Sequence, residues 1–366
     1  MKPVYSLLSV GLITLLLFAL YQSFHYSNYA LSIGKVTDIE TISQVETTDQ
    51  HGNQDTLTTQ RLSILLLSGE HKEQRVTLIN HYDHSQISTQ RYHIGNVLFM
   101  DINDTDFTQS SIIETKRDSF LIMFILLTVL LILFVANYHG MILLIVFAIN
   151  MSVLIGLLMW YKEANSSLLL IASLLLTPIF IAVSLLLFSG WSVKTRIAMT
   201  ASLITTYSTF IIGAVVITLL NHKGLHYESM ELITRPGPII FFTSLLMGSL
   251  GAIMDVSMTI STALTEVVTN KPDVTTLELK QSATRIGQEV MGPMINIMFF
   301  SYLSGSIPLM LIFLSNQMAL TYTFSLSISL ELARALVSSI GIVLTIPITT
   351  FMTTYFYKGR EQEHVS

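Results

Sequence analysis

The stretch Gly248–Glu266, GSLGAIMDVSMTISTALTE, decides what kind of molecule this is. It lies in an apolar run that begins near Gly237, yet it carries two acids, Asp255 and Glu266. Eleven residues at about 100° each return to nearly the same helix face, so the two carboxylates align about 16 Å apart. Ser244, Gly248 and Ala252 form a ridge of small residues on which another helix can pack closely. A carboxylate at the centre of a bilayer costs roughly 3 kcal/mol or more, so such a residue marks a functional site by default.

Composition agrees with a bilayer setting. The chain has 366 residues, 51% of them hydrophobic and only 12% charged, against about 25% charged in a soluble domain. The fold class expected is therefore an α-helical polytopic membrane protein. Cysteine is absent, which excludes disulfides, thiolate metal sites and cysteine nucleophiles. An exported segment without cysteine suits a bacterial cytoplasmic membrane better than a eukaryotic secretory pathway. No basic cluster points to nucleic acid.

Working outward, Val4–Phe24 is a first apolar run, long enough to span, and the flank that follows it offers no small-x-small cleavage site. Residues 1–24 are read as an uncleaved anchor. Residues 25–118 are polar and alternate with period two, as in Arg61–Leu65 and Gln74–Ile79. Turn-forming stretches separate these runs at Asp49–Asn53 and Ser68–Glu70. This pattern predicts a small extracytoplasmic all-β domain, an OB- or SH3-like barrel of five strands inserted between helices 1 and 2, with Tyr92–Val97 turning into its last strand.

Residues 119–366 form the seven-helix membrane domain in this reading. Its apolar runs lie at about Phe120–Ala136, Met141–Trp160, Leu168–Ser189, Ile197–Leu220, Pro238–Leu264, Met291–Leu314 and Ala333–Phe356. With the anchor they make about 8 transmembrane helices. Lys2, Lys194, Arg196, Lys271, Lys280, Arg285, Lys358 and Arg360 then fall inside, against Lys162, Lys223, Arg235 and Arg334 outside. The positive-inside rule therefore places both termini in the cytoplasm. Lys116 and Arg117 stand on the outer side but belong to the long β segment, which the rule weights less.

The candidate site residues are polar groups within or beside these spans. Asp255 is expected in the bundle interior, with Ser257, Ser261 or Thr259 beside it. Glu266 sits nearer the inner surface. Glu289 and Asn296 share a helix face, and Pro293 between them removes a backbone donor; freed carbonyls in a bundle can coordinate a cation. Each has an ordinary structural counterpart: a carboxylate bonded to a neighbouring helix, a solvated acid, a kinked helix entry. Glu331 and Arg334, three apart at the mouth of the last span, read as a structural ion pair. Thr177-Pro178 reads as packing, and Gly305-Pro308 and Pro347 as soft points. His81, Asp83 and His84 are too few and too unplaced for a metal site. No nucleotide loop, HExxH helix or GxSxG elbow is present, so neither a cofactor nor an enzymatic activity is expected.

Gly251–Ile260, GAIMDVSMTI, resembles the GAxxDVAMSIAS signature of the YibE/F family of bacterial membrane proteins. Ile286–Asn296 is similar to that family's IGRDIMGTMTNT stretch, with Gln288-Glu289 in place of Arg-Asp and Pro293 in place of Thr. Ser304–Leu309, Glu331–Arg334, Gly341 and Ile346-Pro347 also match. The resemblance implies a multi-pass protein, and a hetero-oligomer with a paralogous YibE/F-like membrane protein, because such genes often occur in pairs. Two functions stand against each other at this point. One is a transporter or permease component for a small solute or ion, with Asp255, Asn296, Glu289 and Glu266 along its path. The other is a membrane-embedded interaction or scaffold protein acting through its β domain.

Overall fold

A computed structural model describes residues 2–48, 50, 52–86, 89–103, 110–161, 166–230 and 236–363. Of the expected features, Asp49 and His51 in the first turn and the loop cations Lys162 and Arg235 lie outside the described residues, as do the side chains of Lys2, Lys358 and Arg360. The chain forms two compact units, Met1–Met141 and Ile142–Ser366.

The first unit opens with helix α1 (Lys2–Ser23). Five strands follow, β1 (Ser32–Thr48), β2 (Gln54–Leu66), β3 (Arg75–Asp83), β4 (Val97–Asp101) and β5 (Ser111–Thr115). They make one antiparallel sheet in the order β3-β2-β1-β4-β5. The turn at Tyr92–Val97 therefore leads into the fourth strand, not the last. Along β2 every second residue from Thr58 to Leu66 is buried, as one covered sheet face requires. Leu62, Ile64 and Leu66 meet Val76, Leu78, Leu98 and Met100 in the core.

Gln60 breaks this apolar pattern. It is fully buried, and its amide serves as a short piece of missing strand. Oε1 accepts the Tyr92 N–H at 3.1 Å, and Nε2 donates to the Tyr92 carbonyl at 3.3 Å. Asn80 Nδ2 donates to the same Oε1 and to the Gln90 carbonyl. The sheet curls until β3 and β5 face one another across a cavity of about 560 Å³, lined by Arg61, Leu78, Asn80, Tyr92, Ser110 and Ile112.

A polar clasp joins the end of α1 to the start of helix α2 (Asp118–Tyr161). Lys116 Nζ donates to the Ser23 carbonyl at 2.5 Å, to Asp118 Oδ1 at 2.7 Å and to Ser119 Oγ at 3.2 Å. Its cation lies over the Tyr29 ring, and the Tyr29 hydroxyl donates to Asp118 Oδ2. Burial, then the bond to Asp118, pushes the Tyr29 phenol well above its ordinary range. Lys116 is thus a paired cation.

Two expected spans merge in α2, whose 44 residues would reach about 66 Å if straight. They are not straight. Asn137 is non-helical at φ 49° and ψ −124°. A Cβ at Gly140 would stand 2.7 Å from the carbonyl oxygen of Ile132, eight residues earlier. A continuous helix holds such positions about 12 Å apart, so the chain turns back at Asn137.

The second unit contains helices α3 (Ser166–Ser189), α4 (Val193–Leu219), α5 (Gly237–Asn270), α6 (Thr276–Ser315) and α7 (Leu320–Glu363). Among the described residues, α2 to α7 are the six helices long and apolar enough to cross a membrane. Two begin well before their apolar runs. α6 starts at a Thr275–Glu278 capping box, so most of segment 268–288, expected as a loop, is helical. α7 starts at Leu320, thirteen residues ahead of Ala333. Its first three turns are rich in Ser and Thr, which masks their helicity in a hydropathy reading.

α5 is central and packs against α3, α4, α6 and α7. Small residues allow the close approach: a Cβ at Gly341 of α7 would lie 2.9 Å from both Ile253 of α5 and Thr209 of α4. Pro178 in α3 leaves the Leu174 carbonyl without its helical donor. The Tyr207 hydroxyl of α4 donates to that carbonyl at 2.7 Å, which gives Thr177-Pro178 a specific packing partner.

Candidate functional site

The central helix presents two different polar faces, and the expected site residues divide between them. Ser257 and Ser261 are fully buried. They stand about 200° and 240° round the helix from Asp255, so the expected grouping of these serines with Asp255 does not form. Asp255 itself is exposed on the single chain, with Gly251, Thr259 and Glu266 along the same stripe. On the single chain Asp255 therefore does not lie in the bundle interior where it was expected. The helix turns Ser257 and Ser261 inward and its two acids outward.

α6 borders this stripe. The small ridge on α5 is where it packs: a Cβ at Gly248 would fall 2.0 Å from the Tyr302 hydroxyl. Deeper along the pair, Ala252, Val256 and Ile260 meet Met291, Met294, Ile295 and Met298. On its other side α6 meets α7, where Gly287 sits against Ile346. Helical rotation then carries Arg285, Glu289, Gly292 and Asn296 to the flank of α6 turned away from α7. All four are exposed. Asp255 and Glu266 are therefore exposed on α5, and Glu289 and Asn296 on the neighbouring open face of α6.

The flank holds acids, an amide and a guanidinium on otherwise apolar helices. The side chains of Asp255, Glu266, Arg285 and Asn296 form no hydrogen bond or ion pair with one another among the described residues. Thr259 is spoken for, since its hydroxyl donates back to the Asp255 carbonyl at 2.8 Å. Gly251 and Gly292 each face open space. Pro293, also exposed, removes the donor that the Glu289 carbonyl would have met. Such a surface can take up a small cation or proton, or a polar helix.

Glu331 and Arg334 do bond, at 2.5 Å. They are not at the helix mouth, because α7 starts at Leu320 and carries them about 16–21 Å inward along its axis. Arg334 lies over the Phe241 ring at 5.3 Å, so the pair fixes α7 against the start of α5. In the β domain, His81 Nδ1 meets Thr59 Oγ1 at 3.0 Å. Among the described residues no group of three or more His, Cys, Asp or Glu is placed to hold a metal ion.

Phe300, one turn along α6 from Asn296 and largely exposed, extends the flank; sequence reasoning passed over it, Arg285 and Gly251 as members. Spacing holds the signal for Gly251, four residues from Asp255. Arg285 was assigned only to the inner charge balance, and Phe300 only to a span.

Two comparisons bear on identity. A family model described as YibE/F-like protein matches residues 124–359, and one for the YibE/F family N-terminal domain matches residues 27–115. No curated protein and no solved structure matches the chain.

Proposed function

The chain belongs to the YibE/F-like family, and from that premise we propose that it is a component of a membrane transporter for a small solute or ion. The path follows the flank of α5 and α6, with Asp255 and Asn296 at mid-depth and Glu289 and Glu266 toward the inner end. The observation that carries the reading is the exposed, unbonded Asp255 in the middle of a helix apolar enough to span a bilayer. A carboxylate kept there against a cost of roughly 3 kcal/mol has a use.

In this proposal the chain crosses a bacterial cytoplasmic membrane eight times: α1, the two arms of α2, and α3 to α7. Both termini are cytoplasmic, and the β domain lies outside. The curled sheet order β3-β2-β1-β4-β5 supports an open OB-like barrel. We assign no catalytic chemistry, because Asp255 and Glu266 lie about 16 Å apart along the helix, beyond the reach of joint acid–base work.

The test is reconstitution of the purified chain into vesicles loaded with proton- and cation-sensitive dyes. Asp255→Asn is expected to stop the flux while leaving expression and membrane insertion unchanged, since among the described residues the carboxylate bonds to nothing in its own chain. A variant that carries flux at the wild-type rate removes Asp255 from the path. A wild-type chain that passes no ion or proton withdraws this form of the proposal.

A further inference from the structure

We infer that two copies of this chain meet in the bilayer through the α5–α6 flank, and that Asp255 of each copy is held by the partner's Asn296. The inference does not rest on transport. It rests on what an exposed polar flank needs in lipid and on the depths at which its groups stand.

A carboxylate and a primary amide facing hydrocarbon are both costly, and helices in lipid associate by giving such groups partners and by close contact at small residues. The flank offers both features. Asp255 and Asn296 are exposed, and Gly251 and Gly292 have nothing within 4 Å of where a Cβ would be.

Depth identifies the occupant. α5 and α6 run antiparallel, and the packing of Gly248 against Tyr302 and of Ala252, Val256 and Ile260 against Met298, Met294 and Met291 gives their register. Seven residues down α5 from Gly248 is Asp255, and six residues back along α6 from Tyr302 is Asn296. The two stand at about the same depth, within about one turn. The same one-residue offset matches Glu266 with Arg285, Thr259 with Gly292 and Gly251 with Phe300. Each match is complementary: acid with amide, acid with guanidinium, small with small, and an open glycine with a phenyl ring that is 68% exposed.

A two-fold axis along the membrane normal preserves depth. It therefore sets each group of one copy opposite its match on the other, with α5 against the partner's α6 and α6 against the partner's α5. The result is four helices alternating in direction, with both Asp255 carboxylates between them. Glu289 stands one turn from Arg285 on the same helix face, so that guanidinium lies between an acid of its own helix and the opposing Glu266. A different protein would satisfy the acids too, but nothing about it would require the donors on α6 to fall at the depths of the acceptors on α5. A second copy requires it.

The chain contains no cysteine, which makes the experiment clean. Two differently tagged full-length chains are co-expressed, one carrying Gly251→Cys and the other Phe300→Cys, and the membranes are oxidised. Both positions are exposed on the single chain, so neither substitution disturbs its packing; elution identical to that of the unsubstituted chain after reduction confirms it. The expected result is a disulfide-linked dimer bearing both tags, several-fold more abundant than with Leu175→Cys in both chains, a position on α3 that is 70% exposed. Adding Asp255→Leu to both chains is expected to lower the linked fraction about tenfold, since each dimer contains the acid–amide pair twice. Three results would overturn the inference: no doubly tagged dimer, equal linking at Leu175→Cys, or linking only to another membrane protein. An undiminished dimer with Asp255→Leu would overturn the pairing.

Discussion

The Lys116 clasp permits a prediction in which the two halves of one ion pair behave differently. Lys116 is 3% exposed and Asp118 30% exposed, with 2.7 Å between their charged atoms. Removing one member of a buried pair costs about 3–5 kcal/mol, because the other charge is left unpaired. Lys116→Met leaves a carboxylate that still reaches solvent and still accepts from Tyr29 and from the Ser119 N–H, so its cost falls at the low end, about 3 kcal/mol. Asp118→Asn leaves the ammonium with no counter-charge in a nearly sealed site. It still donates to the Ser23 carbonyl and Ser119 Oγ, but neutral acceptors do not balance a charge, and the cost moves to about 4–5 kcal/mol. The double variant removes both charges and recovers at least about 2 kcal/mol relative to the sum of the singles. The measurement is the melting of the purified chain in detergent, followed by protease cleavage within residues 32–115. At about 4 °C per kcal/mol for a unit of this size, the single variants fall by on the order of 10–20 °C. Additive singles, or Lys116→Met worse than Asp118→Asn, would refute the reasoning.

Two further predictions follow from single contacts. Tyr207→Phe is expected to cost about 1–2 kcal/mol by stranding the Leu174 carbonyl that Pro178 has left without a donor; in a Pro178→Ala background, where the backbone N–H returns, the same change should cost close to nothing when read by thermal unfolding. In the β domain, Asp55 is held below its ordinary range by the Ser85 hydroxyl and by the backbone N–H groups of Thr56 and His84. A depressed carboxylate stabilises fully above its unfolded pKa of about 4 and loses that contribution as pH falls toward the lowered value. Amide exchange at His84 should therefore accelerate relative to the domain core below about pH 4, and Asp55→Ala should abolish the pH dependence of that ratio.

The sequence carried the membrane class and the strands because both depend on periodic hydrophobicity, which is local. Thr58, Leu62, Ile64 and Leu66 alternate into the core as their spacing requires. The starts of α6 and α7 were hidden because Thr276–Gln288 is amphipathic and Leu320–Leu332 is rich in hydroxyls, while hydropathy reports apolar runs and not helices. The clasp was out of reach: Lys116 meets the Ser23 carbonyl across 93 positions, and no local pattern encodes that meeting.

The flank is the more instructive case. Helical arithmetic alone separates Asp255 from Ser257 by 200°, so the sequence already forbade their sharing a face. It could not say which of the two faces the bundle would cover. That choice was made by tertiary packing, through Gly341 against Ile253 and Thr209. The contact requires a residue without a side chain opposite branched ones, and it turns the Ser257 side of α5 inward and leaves Asp255 outside. A glycine on α7 thus helps decide where the acid points, and the acid's position then decides what must come to meet it in the membrane.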